Sequence, residues 1–206
     1  MKIITISREF GSGGRELGKR MADLLGWDYY DREIIQQVAD EKGLDSDYVA
    51  NVLEQRDWRA IPLTFTHSFA ADVYQSQKTS LLIEEKKVID RIGAAGRDCI
   101  IVGRNADVYL RELKPFTVFV CAELEARVRR CRERAPEGEN YSDRELERQI
   151  RRIDKNRALV REMIDGTRWG DRTCYHLTVN TTDRSIKELA PLVAAYAGGW
   201  LAQKKD

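Results

Sequence analysis

A glycine-rich segment near the start of the chain has the residue types that bind phosphate. The segment reads Ser7-Arg8-Glu9-Phe10-Gly11-Ser12-Gly13-Gly14-Arg15-Glu16. It follows the apolar residues 3–6 and precedes an amphipathic stretch, so the order is strand, glycine turn and helix. Glycines let backbone N–H groups converge on an anion, and a following helix adds unpaired N–H groups and the positive end of its dipole. This order predicts a phosphate-binding loop.

The loop fits the nucleotide-binding pattern G-x-x-x-x-G-K-[ST] only in a degenerate form. Aligned on its central glycines, the chain has Arg8 at the first glycine, Gly14 at the lysine and Arg15 at the Ser/Thr position. The dinucleotide pattern G-x-G-x-x-G fails, because Glu16 stands where the third glycine belongs. The alternative is a tight strand-to-helix turn without a ligand, although residues 11–14 hold more Gly and Ser than such a turn needs.

Arginine is the second residue type that points to phosphate chemistry. Phosphoryl transfer needs positioning and positive charge, and a planar guanidinium grips phosphate oxygens while staying charged. Arg8 and Arg15 flank the loop, and Arg104 directly follows a buried strand. Two further helical segments, joined at a break around Pro136, carry Arg127, Arg130, Arg151, Arg152 and Arg157. These two segments are predicted to close over a nucleotide as a lid.

Each arginine also has a structural interpretation. Between residues 129 and 161, acidic residues are interleaved, so a solvated helix face with Glu–Arg pairs explains most of the arginines. Arg127 is predicted to lie largely outward as well. Arg104 fits that alternative less well, because it follows an apolar strand. The hypothesis for catalysis is that Arg15 takes the place of the missing lysine, together with Arg104 and Arg157.

The composition excludes several classes of protein. The 206 residues fit one domain, and 35 basic against 34 acidic residues give no overall attraction to nucleic acid or membrane. The four cysteines form no C-x-x-C pair and have no zinc spacing, so no metal site is predicted and a reduced, cytoplasmic protein is expected. No apolar run approaches the length of a membrane span.

The hydrophobic pattern predicts strands that alternate with helices. Strands are expected at residues 3–6, 27–30, 99–102, 116–121 and 176–180, and helices at about 14–25, 31–39, 69–95 and 123–134. Ser142 with Glu145, and Ser185 with Glu188, predict capping boxes for two later helices, and Pro191 is awkward in the second. Residues 43–69 are interpreted as short helices and loops that form a mobile cover. The predicted fold is α/β, a doubly wound, five-stranded parallel sheet.

With these residues in order, the chain resembles the cytidylate kinase-like P-loop family over nearly its whole length. The resemblance rests on the glycine-rich loop, Tyr30-Asp31, the segment 102–107 and the strand 118–120, and it continues in Asp154-Lys155-Asn156-Arg157 and Trp169-Gly170-Asp171. It implies a nucleoside monophosphate kinase fold in one domain, residues 1–206. Within it, about 31–75 would be a monophosphate-binding cover region and about 127–160 an arginine-rich lid.

The resemblance also implies roles for single residues. Those that would bind the ATP phosphates are Arg8, Gly11, Ser12, Gly13, Gly14, Arg15 and Glu16. Asp31 would lie near the sugar or base of the acceptor, and Arg104 would hold the acceptor phosphate. Arg127, Arg151 and Arg157 would be lid residues, with Asp154 orienting them. ATP and Mg²⁺ are implied, although glycine replaces the P-loop lysine, arginine replaces the Ser/Thr that ligates Mg²⁺, and Asn105 stands where cytidylate kinases carry aspartate.

Three hypotheses for function therefore stand at the level of the sequence. The first is transfer of the γ-phosphoryl group of ATP to CMP, dCMP or a similar acceptor. The second is a nucleotide-binding regulatory protein with weak or no kinase activity, because the lysine is missing. The third, nucleic-acid binding through the arginines of 127–161, is disfavoured by the balanced charge and by the absence of a known reading motif. The expected partners are nucleotide substrates, with neither nucleic acid nor membrane, and the oligomeric state is not predicted.

Overall fold

The computed structural model describes residues 1–54, 68–135 and 141–203. The strands are β1 (Ile3–Arg8), β2 (Asp28–Tyr30), β3 (Cys99–Val102), β4 (Phe116–Cys121) and β5 (Leu177–Asn180). The helices are α1 (Gly14–Leu25), α2 (Arg32–Lys42), α3 (Ser46–Glu54), α4 (Ser68–Ala94), α5 (Ala106–Tyr109), α6 (Leu124–Glu133), α7 (Asp143–Asp165) and α8 (Ile186–Ala202). Two short 3₁₀ turns, Arg111–Leu113 and Arg172–Cys174, complete the described elements.

The strands form one parallel sheet in the order β2-β3-β1-β4-β5. The first strand lies in the centre, with Ile4 opposite both Ile100 of β3 and Phe116 of β4. Because the chain continues to opposite sides of β1, the strand order reverses there, and ligands of such sheets bind at the carboxyl ends of the strands beside that point. The segments that follow all five strands therefore meet at one edge, and the glycine-rich loop lies at its centre.

Two apolar cores cover the two faces of the sheet. Alternate side chains of a strand point to opposite faces. Ile4 and Ile6 therefore pack with Leu17 of α1 and Ala194 of α8, while Ile3 belongs to the core that α2, α3 and α4 form on the other face. A parallel sheet covered on both faces needs continuous apolar strands. This confirms the predicted doubly wound α/β fold.

Local signals set most helix ends. Gly26 ends α1 in the left-handed conformation with φ of 65°, and the predicted capping box of Ser142 and Glu145 is formed at the start of α7. The second predicted capping box is wrong, because the Ser185 side chain accepts no hydrogen bond and the N–H of Glu188 donates to the Ser185 carbonyl instead. Helix α8 continues through Pro191.

The predicted cover and lid lie only partly within the described residues. In the predicted cover, helix α3 is described and residues 55–67 lie outside the described residues. In the predicted lid, residues 136–140 between α6 and α7 also lie outside them. In the described part of the chain, every helix is too short or too polar to cross a bilayer.

Candidate active site

The glycine-rich loop connects β1 to α1 in a conformation that only glycine fits well. Gly11 and Gly13 have φ of 79° and 85°, in the left-handed region that L side chains rarely adopt. A Cβ on Gly11 would lie 3.0 Å from the carbonyl oxygen of Arg127, and one on Gly13 would lie 2.7 Å from Cδ1 of Ile186. The loop is therefore packed tightly against α6 and α8, as a preformed element must be.

Side chains from behind hold three successive carbonyl groups of this loop. Arg127 Nε donates to the Phe10 carbonyl at 2.7 Å, and Arg130 Nη1 donates to the Gly11 carbonyl at 3.0 Å. The hydroxyl of Thr181, in the segment after β5, donates to the Ser12 carbonyl at 2.6 Å. A carbonyl fixed on one side turns the N–H group of the following residue to the other side, because the two groups belong to one planar trans peptide.

The front of the loop consequently presents donors. Within the described residues, the N–H groups of Gly11 and Gly13 have no protein acceptor. The first N–H groups of α1, which begins at Gly14, are unpaired by the geometry of any helix, and they carry the positive end of its dipole. Backbone donors and a helix N-terminus in one place make an anion site.

A buried carboxylate lies beside the loop at the end of β2. Asp31 precedes α2 but does not cap it, because its side chain makes no cap hydrogen bond. Its carboxylate pairs with Nε of Arg15, and its Oδ1 lies 3.6 Å from Nη2 of Arg8. The Asp31 side chain is 3% exposed and the Arg15 side chain 41% exposed. Asp31 also raises the pKa of Tyr29, after the larger effect of burial.

Arg8 and Arg15 face different spaces around Asp31. A small cavity of about 60 Å³, here named the central cavity, is lined by Ser7, Arg8, Leu53, Leu82, Glu85, Gly103, Arg104, Asn105, Asn156, Arg157, Val160 and Trp169. An open groove of about 720 Å³, named the outer groove, runs along α1 and is lined by Arg15, Glu16, Lys19, Arg20, Asp23, Tyr29, Asp31, Arg32, Glu33 and Arg134. The structure thus separates the two arginines that flank the loop.

Arg104 lies in the central cavity, as its position after β3 predicts. It has φ of 61°, and Asn105 has φ of 49°, so two consecutive non-glycine residues adopt the left-handed conformation. Such strain is found at sites where the surrounding structure holds a side chain in a required place. Nη1 of Arg104 lies 3.5 Å from Glu85, and both side chains are almost fully buried.

Asp154 connects α7 to the loop. Its Oδ1 accepts the N–H of Phe10 at 2.8 Å, its Oδ2 pairs with Arg127, and Nη1 of Arg157 lies 3.4 Å from Oδ1. Arg157 also donates to the carbonyl of Arg8 at 2.8 Å. Asp154 therefore lies among Arg127, Arg157 and the loop, whereas Arg151 is exposed on α7.

One expectation for the arginines is wrong, and another has an exception. Arg127 is 6% exposed and lies beneath the loop, so the expectation that it points outward is wrong. Arg161 is also buried, in an ion pair with Asp107, and does not belong to a solvated helix face. Apolar spacing places a helix against the sheet, but it cannot show that an arginine at the boundary bends toward loop carbonyls or a buried acid.

Two charged residues of the site, Glu85 and Lys78, were missed at the level of the sequence. Glu85 and Lys78 lie on the apolar stripe of α4, seven residues apart, and both are buried. Lys78 Nζ donates to Oδ1 of Asn156 at 2.9 Å, Asn156 Nδ2 donates to the Leu53 carbonyl at 3.0 Å, and burial lowers the pKa of Lys78. The sequence did contain a signal for them. Both charged residues fall at helical spacing within the apolar stripe formed by Leu81, Leu82, Val88 and Ile89, and a charged residue is rarely buried there without a partner.

Asp31 is the carboxylate that fits a magnesium ion here. The described residues contain no group of three or more metal-ligating side chains. Mg²⁺ beside nucleotide phosphates needs only one or two carboxylates. Glu9 is engaged by the Ala122 N–H and Arg127, and Glu16 by Arg20 and Arg134. Asp31 is paired with Arg15 and lies beside Arg8, but its Oδ1 is buried and accepts no hydrogen bond.

Comparison with known proteins gives a family and a fold. The sequence model of the cytidylate kinase-like family matches residues 3–183. No curated protein matches the chain. Among solved structures, an uncharacterized protein from Eubacterium ventriosum ATCC 27560 is similar with a TM-score of 0.69 and 20% identity, over 96% of this chain and 98% of that one.

Two kinases share the fold at lower identity. Shikimate kinase from Acinetobacter baumannii, solved with shikimate, has a TM-score of 0.57 and 14% identity, over 100% of this chain and 96% of that one. A gluconokinase from Sinorhizobium meliloti 1021 has a TM-score of 0.55 and 15% identity, over 99% and 98%. At such identities the similarity establishes the fold alone.

Proposed function

Because the chain belongs to the cytidylate kinase-like family, we propose that it transfers the γ-phosphoryl group of ATP to a nucleoside monophosphate, with CMP and dCMP as the first candidates. The observation that carries the proposal is the central cavity, lined by Arg8, Arg104 and Arg157, at the end of β1 from which the glycine-rich loop departs. An anion cradle next to a second cationic site is what transfer between two phosphates requires.

The reaction would need little covalent help from the protein. An oxygen of the acceptor phosphate bonds to the γ-phosphorus, and the bond from the γ-phosphorus to the β–γ bridging oxygen breaks, leaving ADP. A phosphomonoester is largely dianionic at pH 7, so this acceptor has no proton to remove. The backbone N–H groups of Gly11, Gly13 and the first turn of α1 hold the donor phosphates, and Arg104 and Arg157 orient the acceptor phosphate.

Asp31 would hold the magnesium ion that accompanies ATP. A bound Mg²⁺ would supply positive charge that offsets the negative charge developing on the phosphates during transfer. Asp31 is paired with Arg15, which is exposed enough to turn from the carboxylate toward the outer groove. The carboxylate of Asp31 would then be available for the ion.

A small hydroxylated acid is the second candidate acceptor. The central cavity, at about 60 Å³, is far below the roughly 300–1,000 Å³ of ordinary ligand pockets. A cavity of this size suits a small acceptor. Arg104 would bind the carboxylate of such an acid, and Glu85 would accept a hydrogen bond from a hydroxyl group. Solved kinases with this fold include those named for shikimate and gluconate.

A coupled ADP-release assay tests these proposals together. The full chain is incubated with ATP, Mg²⁺ and each acceptor of a panel: CMP, dCMP, UMP, AMP, GMP, shikimate and gluconate. We expect the highest kcat/KM with CMP or dCMP. Turnover with shikimate or gluconate alone would replace the acceptor class, and ATP binding by calorimetry without any turnover would favour a nucleotide-binding regulatory protein.

The same assay on Arg104→Ala tests the acceptor site. Losing charge-assisted hydrogen bonds costs about 1.5–3 kcal/mol, or about 10- to 100-fold in kcat/KM for the acceptor. The KM for ATP should change little. Arg97→Ala is the matched control, because Arg97 pairs with Asp28 at the surface, beside the opposite edge of the sheet. Equal losses from both variants would contradict the assignment of Arg104.

A further inference from the structure

Two departures from the P-loop pattern are coupled in space. Arg8 replaces the first glycine of the pattern, and Gly14 replaces its lysine. A Cβ on Gly14 would lie 2.6 Å from Cβ and 3.0 Å from Cγ of Arg8, and 3.3 Å from Cβ of Val120. The stem of Arg8 therefore occupies the space that any side chain at position 14 would need, so arginine at 8 excludes lysine at 14.

The guanidinium of Arg8 is held at the edge between β1 and β3. A Cβ on Gly103 would overlap Nη1 of Arg8 and lie 2.6 Å from its Cζ, so the guanidinium rests directly on the Gly103 backbone. Asp31 lies on its far side, with Oδ1 3.6 Å from Nη2, and Arg157 donates to the carbonyl of Arg8. Arg8 as a whole residue is 9% exposed and lines the central cavity.

Arg15, the other candidate, does not share this position. Its side chain points to the outer groove beside Lys19, Arg20 and Arg134, and it is 41% exposed. The central cavity, which contains Arg104 and Arg157, is lined by Arg8 and not by Arg15. An arginine that acts between a donor phosphate at the loop and an acceptor in this cavity must lie where Arg8 lies.

We propose that the P-loop cation of this protein has moved from position 14 to position 8, so that Arg8 contacts the γ-phosphate in place of the missing lysine. The inference deepens the proposed function and rests on it. Guanidinium is planar and always charged, so it can bind two phosphate oxygens from a fixed side position where an ammonium would need to approach along the loop. Gly14 and Gly103 supply the room for it.

Nucleotide affinity and its rescue by lysine test the relocated cation. The Kd for AMP-PNP with Mg²⁺ is measured by calorimetry on the full chain, and kcat is measured with the best acceptor of the panel. Arg8→Gly should weaken AMP-PNP binding about 10- to 100-fold and lower kcat about 10²- to 10³-fold. The double variant Arg8→Gly with Gly14→Lys should regain at least a factor of ten in affinity and in kcat, because the Arg8 stem no longer blocks position 14 and only Cβ of Val120, at 3.3 Å, stays close.

Two further variants separate this role from a structural one. Gly14→Lys alone should lower the thermal midpoint and improve neither Kd nor kcat, because its stem collides with that of Arg8. Arg8→Lys should retain part of the affinity while folding normally. If Arg8 only neutralises the charge of Asp31, lysine at position 14 would restore neither the affinity for AMP-PNP nor kcat. Rescue in the double variant would therefore separate a phosphate contact from a structural role.

The outcomes distinguish the two proposals. If the wild-type chain binds no AMP-PNP, the proposed function and this inference both fail. If it binds, and Arg8→Gly binds equally well or Gly14→Lys gives no rescue, the relocated cation alone is overturned. If affinity depends on Arg8 and is rescued by lysine without turnover on any acceptor, the phosphate contact stands and the transfer reaction fails.

Discussion

At the scale of single residues, Asp154 links two helices to the glycine-rich loop. One carboxylate receives the Phe10 N–H and pairs with Arg127, and Arg157 lies beside it. Arg127 in turn holds the Phe10 carbonyl from the other side. The peptide before and after Phe10 is therefore fixed by side chains of α6 and α7, which determines where the loop begins its turn.

We expect Asp154→Asn to reduce both stability and nucleotide binding. The amide keeps the shape of the carboxylate, but it removes the charge that faces two arginines, and hydrogen bonds to charged groups contribute about 1.5–3 kcal/mol. For a chain of this size, that lowers the thermal midpoint by about 3–12 °C. Calorimetry of unfolding and of AMP-PNP binding measures both effects. Asp143→Asn is the control, because Asp143 pairs with Arg132 at the exposed start of the same helix, and a control loss as large would refute the role of Asp154.

At the scale of elements, the loop depends on its neighbours for its shape. Helix α6 supplies Arg127 and Arg130, and the segment after β5 supplies Thr181, which is fully buried. A phosphate cradle of bare backbone needs such support, because its N–H groups must face the ligand before the ligand arrives. The arginines of α6 thus act as a scaffold behind the loop.

Thr181→Val tests this support. Valine has nearly the same shape but leaves the Ser12 carbonyl without its 2.6 Å donor, at a cost of about 1–3 kcal/mol for an unsatisfied buried group. We expect a higher Kd for AMP-PNP together with a lower thermal midpoint of unfolding. Thr178→Val, on the exposed face of β5, should change neither by a measurable amount. An unchanged Kd in Thr181→Val would show that the loop keeps its shape without this contact.

The elements themselves were largely predictable, and the contacts between them were not. Helices α1 and α4 agree with their predicted spans because apolar periodicity is a local property of the chain. The burial of Arg127 and Glu85 depends on which elements meet at the sheet edge, which is a property of the tertiary fold. For the same reason Ser185 has the sequence of a capping box without its hydrogen bonds.

At the scale of the whole molecule, the sheet has two apolar cores on its faces and the candidate site at one edge. The loops that follow the strands converge at one edge, while the opposite edge holds the start of β3 and the N-terminus. Cys99 begins β3 in the core beneath α2 and α4, and it is 1% exposed. Burial, with smaller effects of Asp28 and Asp98, raises the pKa of this thiol to about 12.

We expect Cys99 to be the least reactive of the four cysteines. At pH 8 the folded chain should protect it from iodoacetamide, while Cys174 is labelled, as peptide mass spectrometry would show; equal labelling would contradict the described core.

The raised pKa of Cys99 also makes the stability of the fold depend on pH. The folded state retains the proton as pH rises from the ordinary value of 9.0 to about 12, so the contribution of Cys99 to stability declines across that range. Cys99→Ala should make the decline shallower.

The contact between the Arg8 stem and the Gly14 backbone also constrains how such a loop could arise during evolution. A descendant that acquires lysine at 14 while it still has arginine at 8 must fit two stems into one space, and one that loses the arginine first has a cation at neither position. Either single step passes through an impaired ancestor, so selection would oppose the return in both orders. Loops of this type should therefore persist as a separate lineage, with positions 8, 14 and 103 inherited together.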